Sequence, residues 1–116
     1  MPTNNDLVFT PLEGWIIPTL LNGWVNFGGD HENVAYYSDP LGIIEIRGFV
    51  RNGTMGSPIF ILPINYRSAT RKVFSVMMNN GSDVSGRIDI HTDGRVVAVS
   101  GGNVFVSLAG IRFRKA

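Results

Sequence analysis

Apolar and polar side chains alternate at every second position through most of this chain, which is the period of a strand with one face buried. The clearest instance surrounds Asp93-Gly94. An Asp-Gly pair favours a two-residue hairpin turn, in which both central positions take positive φ. A turn there pairs Thr92 with Arg95, His91 with Val96, Ile90 with Val97, Asp89 with Ala98 and Ile88 with Val99. Ile88 and Ile90 then meet Val97 and Val99 on one face, and Asp89 and His91 stand on the other. A slip of one residue would move Ile90 to the wrong face.

A second hairpin is expected at Asp39-Pro40-Leu41-Gly42, where Asp, Pro and Gly occupy the first, second and fourth positions of a type I turn. Residues 34–38 lead in and residues 43–52 lead out. Ile44, Ile46 and Val50 alternate with Glu45 and Arg47 along the second arm, and Gly48 marks a bulge or a close backbone approach. Further strands are expected at residues 15–17, 24–27, 58–62, 72–79, 104–108 and 111–114. No segment keeps a helical period, and 14 Gly and 6 Pro punctuate the chain at short intervals. About ten short strands with tight turns predict an all-β fold, an antiparallel β-sandwich of jelly-roll-like form. Residues 1–6 read as a flexible polar segment, and residues 7–116 as a single domain.

Size agrees with that division. A chain of 116 residues makes one domain of ordinary core volume. With no cysteine it has neither disulfides, thiol nucleophiles nor thiolate metal sites. The net charge of +1 and the lack of a long basic run argue against nucleic acid, which demands clustered Lys and Arg. Apolar runs such as Ile59–Leu62 are too short to insert in a membrane. The first residues, Met1-Pro2-Thr3-Asn4-Asn5-Asp6, lack the charged start and apolar centre of a signal peptide. Only 16% of residues are charged and the mean hydropathy is +0.12, which implies that another chain covers part of the apolar surface.

Catalytic chemistry finds little support. Ser107, His91 and Asp89 could be imagined as a hydrolase triad, but no Gly-x-Ser-x-Gly elbow occurs and Asp89 and His91 share one strand face. Asp30-His31-Glu32 offers metal-ligand atoms without a second ligand pair at a useful spacing. No catalytic residue, metal or cofactor is therefore expected. Trp15 and Trp24 read as core aromatics, although either could stack on a sugar ring. The outward positions Tyr37, Glu45, Arg47, Asp89 and His91 would form a shallow polar-aromatic surface suited to a saccharide. Pro58–Leu62 is apolar on both faces, so it is covered twice. Together with Ile43 and Phe49, Ile59 and Ile61 are the expected oligomer contacts, a short central strand under a loop being the alternative.

An ordered set of stretches carries a resemblance. It comprises Leu21-Asn22-Gly23-Trp24-Val25-Asn26-Phe27-Gly28, Tyr36 with Asp39-Pro40-Leu41-Gly42, and the run from Ile44 to Thr54. Ile59-Phe60-Ile61-Leu62-Pro63, Tyr66-Arg67 and Val106-Ser107-Leu108-Ala109-Gly110-Ile111-Arg112-Phe113 follow. Over residues 14–113 the chain resembles the C-terminal (head) domains of bacteriophage tail-fibre, baseplate and receptor-binding proteins. Tyr37 and Ser38 depart from that pattern, where basic residues are common, and so does the Ile64-Asn65 pair. The resemblance implies a homotrimer in the phage tail of a virion, made in the host cytoplasm and associated with other tail or baseplate proteins. It implies non-catalytic attachment to host cell-surface saccharide, or alternatively a structural tail adaptor without a glycan site.

Overall fold

The computed structural model describes residues 14–116, so the expected boundary after residue 6 lies outside the described residues. Among the described residues ten strands form two antiparallel sheets, as the alternation predicts. They are β1 (Val25–Asn26), β2 (Ala35–Ser38), β3 (Ile43–Arg47), β4 (Phe49–Arg51), β5 (Pro58–Ile61), β6 (Lys72–Asn79), β7 (Asp83–Ile90), β8 (Arg95–Ser100), β9 (Phe105–Ser107) and β10 (Ile111–Arg114). The large sheet has the order β1-β4-β9-β6-β7-β8-β5 and the small one the order β10-β3-β2. A 3₁₀ turn at Ile64–Tyr66 follows β5, and the described residues contain no α-helix.

The inward positions of both sheets meet in one core. The small sheet contributes Tyr36, Ile44, Ile46, Ile111 and Phe113. The large sheet supplies Val50, Phe60, Met78, Ile88, Ile90, Val96, Ala98 and Val106. Tyr36 lies parallel to Phe60 across the layers, with ring centroids 6.1 Å apart. A fully buried side chain of this kind contributes about 1.5–3 kcal/mol relative to exposure, so this shared core holds the layers together.

Both expected hairpins form, one of them in a different register. At Asp39 the carboxylate accepts the N–H groups of Leu41 and Ile43, each at 2.9 Å, and Gly42 takes φ 85°. At the second hairpin His91 N–H donates to the Arg95 carbonyl and Gly94 N–H to that of His91. The loop therefore holds Thr92, Asp93 and Gly94, and Ile90 pairs with Val96, Asp89 with Val97 and Ile88 with Ala98. Gly94 alone takes positive φ, at 93°. A three-residue loop of this kind spares Asp93 the left-handed conformation that the two-residue turn would impose on it. Ile88 and Ile90 stay in the core, and Val97 moves to the outer face opposite Asp89.

The longest hairpin, β6 with β7, turns at Asn80-Gly81, which the alternation did not mark. Its second arm is hard to read because the inward position 86 is glycine. A Cβ on Gly86 would stand 2.1 Å from the Met78 sulfur, so Met78 fills the place that a side chain there would take.

Strand β5 corrects one expectation. Ile59 is wholly buried within the single chain and has no surface to offer an oligomer contact. The pairing of β5 shifts between Pro58 and Phe60, and Ile59 and Phe60 are both fully buried. The outer edge is closed by the preceding loop: Leu21 N–H donates to the Ile59 carbonyl at 2.8 Å, and Asn22 Nδ2 to that of Pro58 at 2.7 Å. The strand lies at the edge of the sheet rather than in its centre, and the covering loop accounts for the burial of Ile59, while Ile61 stays exposed.

Gly48 is where β3 leaves the small sheet and β4 enters the large one. Its φ is 130°, and a Cβ would lie 2.5 Å from the Val34 Cα. Gly48→Ala should destabilise the fold by about 3 kcal/mol, because it adds both strain and overlap with backbone. Gly110→Ala, at positive φ but with open space around it, should cost about 1 kcal/mol. Urea unfolding of the two variants checks the difference.

Candidate functional site

The strand registers divide the expected saccharide surface in two. On the outer face of the small sheet, Tyr37 stands opposite Glu45, and Glu45 opposite Arg112. Arg47 follows two positions along the same face. Trp15, whose bulk suggests a place in the core, joins them instead. Ile16 forms a bridge with Tyr36, exchanging backbone hydrogen bonds of 2.7 and 3.0 Å, and Trp15 beside it turns outward. The residue is 36% exposed, and its ring lies 4.4 Å from that of Tyr37 and has the Arg47 guanidinium carbon 4.0 Å above it. Arg47 also approaches Glu32, with Nε 3.5 Å from the carboxylate. The sequence held the signal: Ile16 packs against the core, so its neighbour must face away. Trp24, by contrast, is a core residue lying flat on Gly53.

Asp89 and His91 lie on the other sheet, away from Tyr37, Glu45 and Arg47. Asp89 is on the outer face, yet its carboxylate is entirely buried beneath two arginines. Arg87 donates from Nε to Oδ1 at 2.7 Å and from Nη2 to Oδ2 at 3.0 Å. Arg71 donates to Oδ2 from Nε at 2.9 Å and from Nη2 as well. Hydrogen bonding from Arg87 holds the Asp89 carboxyl below the usual carboxylate range against the opposing effect of burial, and Arg71 reinforces it. Next to this group Arg95 reaches His91 Nδ1 at 3.1 Å and Asp93 at 2.9 Å. Burial first, then the positive charges of Arg95 and Arg71, push the His91 imidazole below its ordinary range.

The imagined triad is not assembled. Ser107 lies on β9, separated from β7 by β6, and the Asp89 oxygens are engaged by arginine. The Asp30-His31-Glu32 loop sends its side chains to different places. His31 stacks on Phe49 at 4.5 Å, and Glu32 faces Arg47. No group of three His, Cys, Asp or Glu side chains that could hold a metal occurs among the described residues.

The remaining expected contact residues do not form one patch. Ile43 is half-buried on the small sheet. Phe49 belongs to an aromatic cluster near one edge of the large sheet, stacked on Phe105 at 4.7 Å with Phe27 edge-on at 5.2 Å. Ile61 is exposed on the opposite edge strand. Between those edges Val73 and Met77 of β6 stand out from the same sheet, 57% and 54% exposed.

No protein-family model matches the sequence, and no curated protein matches it. Among solved structures, the chain is similar to the crystal structure of the receptor binding protein (gp15) of Listeria phage PSA. The TM-score is 0.74 at 18% sequence identity, over 89% of this chain. The chain spans 65% of the length of that protein, and the likeness is one of fold.

The Asp89 geometry sets a pH dependence. A carboxyl with a lowered folded-state pKa stabilises the fold fully above the unfolded value, about 3.9 for Asp, and loses that contribution as pH falls through the folded value. The urea midpoint of the wild-type chain should therefore fall below about pH 4. Asp89→Asn should flatten that part of the profile, and a parallel titration of both proteins by tryptophan fluorescence checks it.

Proposed function

We propose that this chain is an attachment domain of a bacteriophage tail or baseplate that recognises saccharide on the host cell surface without chemical turnover. The observation that carries the proposal is the likeness of fold, over most of the chain, to a phage receptor binding protein. The outer face of the small sheet supplies chemistry of the required kind. Trp15 and Tyr37 are amphipathic rings against which the C–H face of a sugar can pack. Glu45 is an acceptor and Arg47 a forked donor, a combination suited to neighbouring hydroxyls.

This face is shallow, so a single site binds weakly. Assembly as a homotrimer raises the effective concentration of the remaining sites once one is engaged. The Phe27–Phe49–Phe105 cluster near the β1 edge of the large sheet, away from Asp89, supports such an assembly, since an apolar patch marks an interaction surface. In this reading the domain works in the virion tail beside other tail proteins.

Two outcomes test the proposal. Light scattering should return a mass of three chains. Trp15→Ala and Tyr37→Ala should each weaken binding to purified host envelope polysaccharide about tenfold, a loss of about 1.4 kcal/mol, with thermal midpoints unchanged. Calorimetry that detects binding to another tail protein but to no envelope carbohydrate would replace attachment with a structural adaptor.

A further inference from the structure

The large sheet carries a constellation that the attachment face does not use. Asp89 points away from the core, and its carboxylate is nevertheless removed from water by Arg71 and Arg87. Burying a carboxylate is costly, and a well-packed apolar side chain serves a fold as well as a buried ion pair does. Stability alone therefore gives no reason for an acid at this position. Its specific effect is on the two arginines, whose guanidinium groups it holds in fixed orientations.

Each arginine gives Asp89 its Nε and one Nη donor. A guanidinium presents five N–H groups in a rigid fork, so the Nη1 edge of each remains available to another acceptor. The two side chains are 53% and 48% exposed, whereas Asp89 is wholly covered. Two cations around one anion leave the unit with a net positive charge facing solvent. His91 feels that field together with Arg95, which adds to the effect of its burial in disfavouring the imidazolium. Exposed hydroxyls adjoin the unit on the same face. Ser75 stands opposite Arg87 in register, and its Oγ is 2.6 Å from that of Ser85.

We propose that Arg71 and Arg87, oriented by Asp89, form a binding site for the anionic group of a sugar, phosphate or carboxylate, on the outer face of the large sheet. Forked donors match such groups in geometry as well as charge. The site is separate from the Trp15–Tyr37–Arg47 face. Only the assignment of its ligand to a host-surface polymer rests on the attachment reading.

The test is a titration of the whole chain with glucose 6-phosphate, glucuronate and glucose, followed at the arginine Nε–Hε resonances by NMR. Arg71 and Arg87 should shift with at least one of the two anions and not with glucose. The anion that binds more tightly identifies the group. Absence of any shift at both arginines with both anions would overturn the site.

Asp89→Asn separates an oriented site from diffuse attraction. It adds one unit of positive charge to the face, so diffuse attraction predicts tighter binding. Loss of orientation predicts binding at least fivefold weaker. Arg87→Lys keeps the charge that Asp89 needs and removes the fork, which serves if the Asn variant does not fold. Its affinity should also fall at least fivefold, and an unchanged affinity would refute the proposal.

Binding of labelled chain to intact bacteria distinguishes the two readings. Cells bound equally by wild type and Arg87→Lys would overturn the anion site as a receptor contact and leave attachment standing. Arginine shifts without cell binding would overturn attachment and leave the anion site standing.

Discussion

A chain that serves two facing sheets in consecutive strands must cross the gap between them, and it must do so without holding the sheets apart. Among the described residues the chain crosses three times, and the tightest crossing is a single residue, Gly48, between β3 in the small sheet and β4 in the large one. Its backbone rests against Val34, with no room for a side chain, and its carbonyl accepts the Leu108 N–H at 2.8 Å. On one side of it Ile44 and Ile46 enter the core, and on the other Val50 does. This contact sets which residues of each sheet face inward. The two outer faces follow from it, since side chains in a strand alternate.

Those outer faces have different chemistry. The small sheet presents rings and mixed charge, with Trp15 against Tyr37 and Arg47 above it. The large sheet presents arginines organised by a buried acid, beside exposed aliphatic and half-buried aromatic side chains. A sandwich allows this separation because neither outer face takes part in the packing that holds the layers together. Ligand contacts can change on either face without disturbing Ile44, Phe60 or Ile88.

Much of the fold was legible in the alternation of the sequence, because a half-buried strand cannot hide its period. β6 and β10 fall where the pattern placed them, and the Asp39 turn follows from residue types alone. Register was less legible. Asn22-Gly23 does adopt positive φ at both positions, 57° and 82°, whereas Asp93-Gly94 does so only at the glycine. One dipeptide rule covers both pairs, and local hydrogen bonding decides between loop lengths. The site was partly legible: Tyr37, Glu45 and Arg47 do share a face, and Asp89 and His91 share another. What sequence spacing could not convey was that these faces belong to different sheets. Nor could it reveal that arginines from β7 and from the segment before β6 would converge on Asp89. Trp15 was misplaced because bulk suggests burial, although its neighbour Ile16 already occupied the inward position.

The most direct measurement for an attachment role is competition at the cell surface. Bacteria from a panel of strains would be saturated with the purified chain and then challenged with a phage whose tail carries the same domain. Adsorption should fall steeply on the strains that bind the chain. It should recover when the competitor carries alanine at both Trp15 and Tyr37. Undiminished adsorption at saturating occupancy by the wild-type chain would contradict the role.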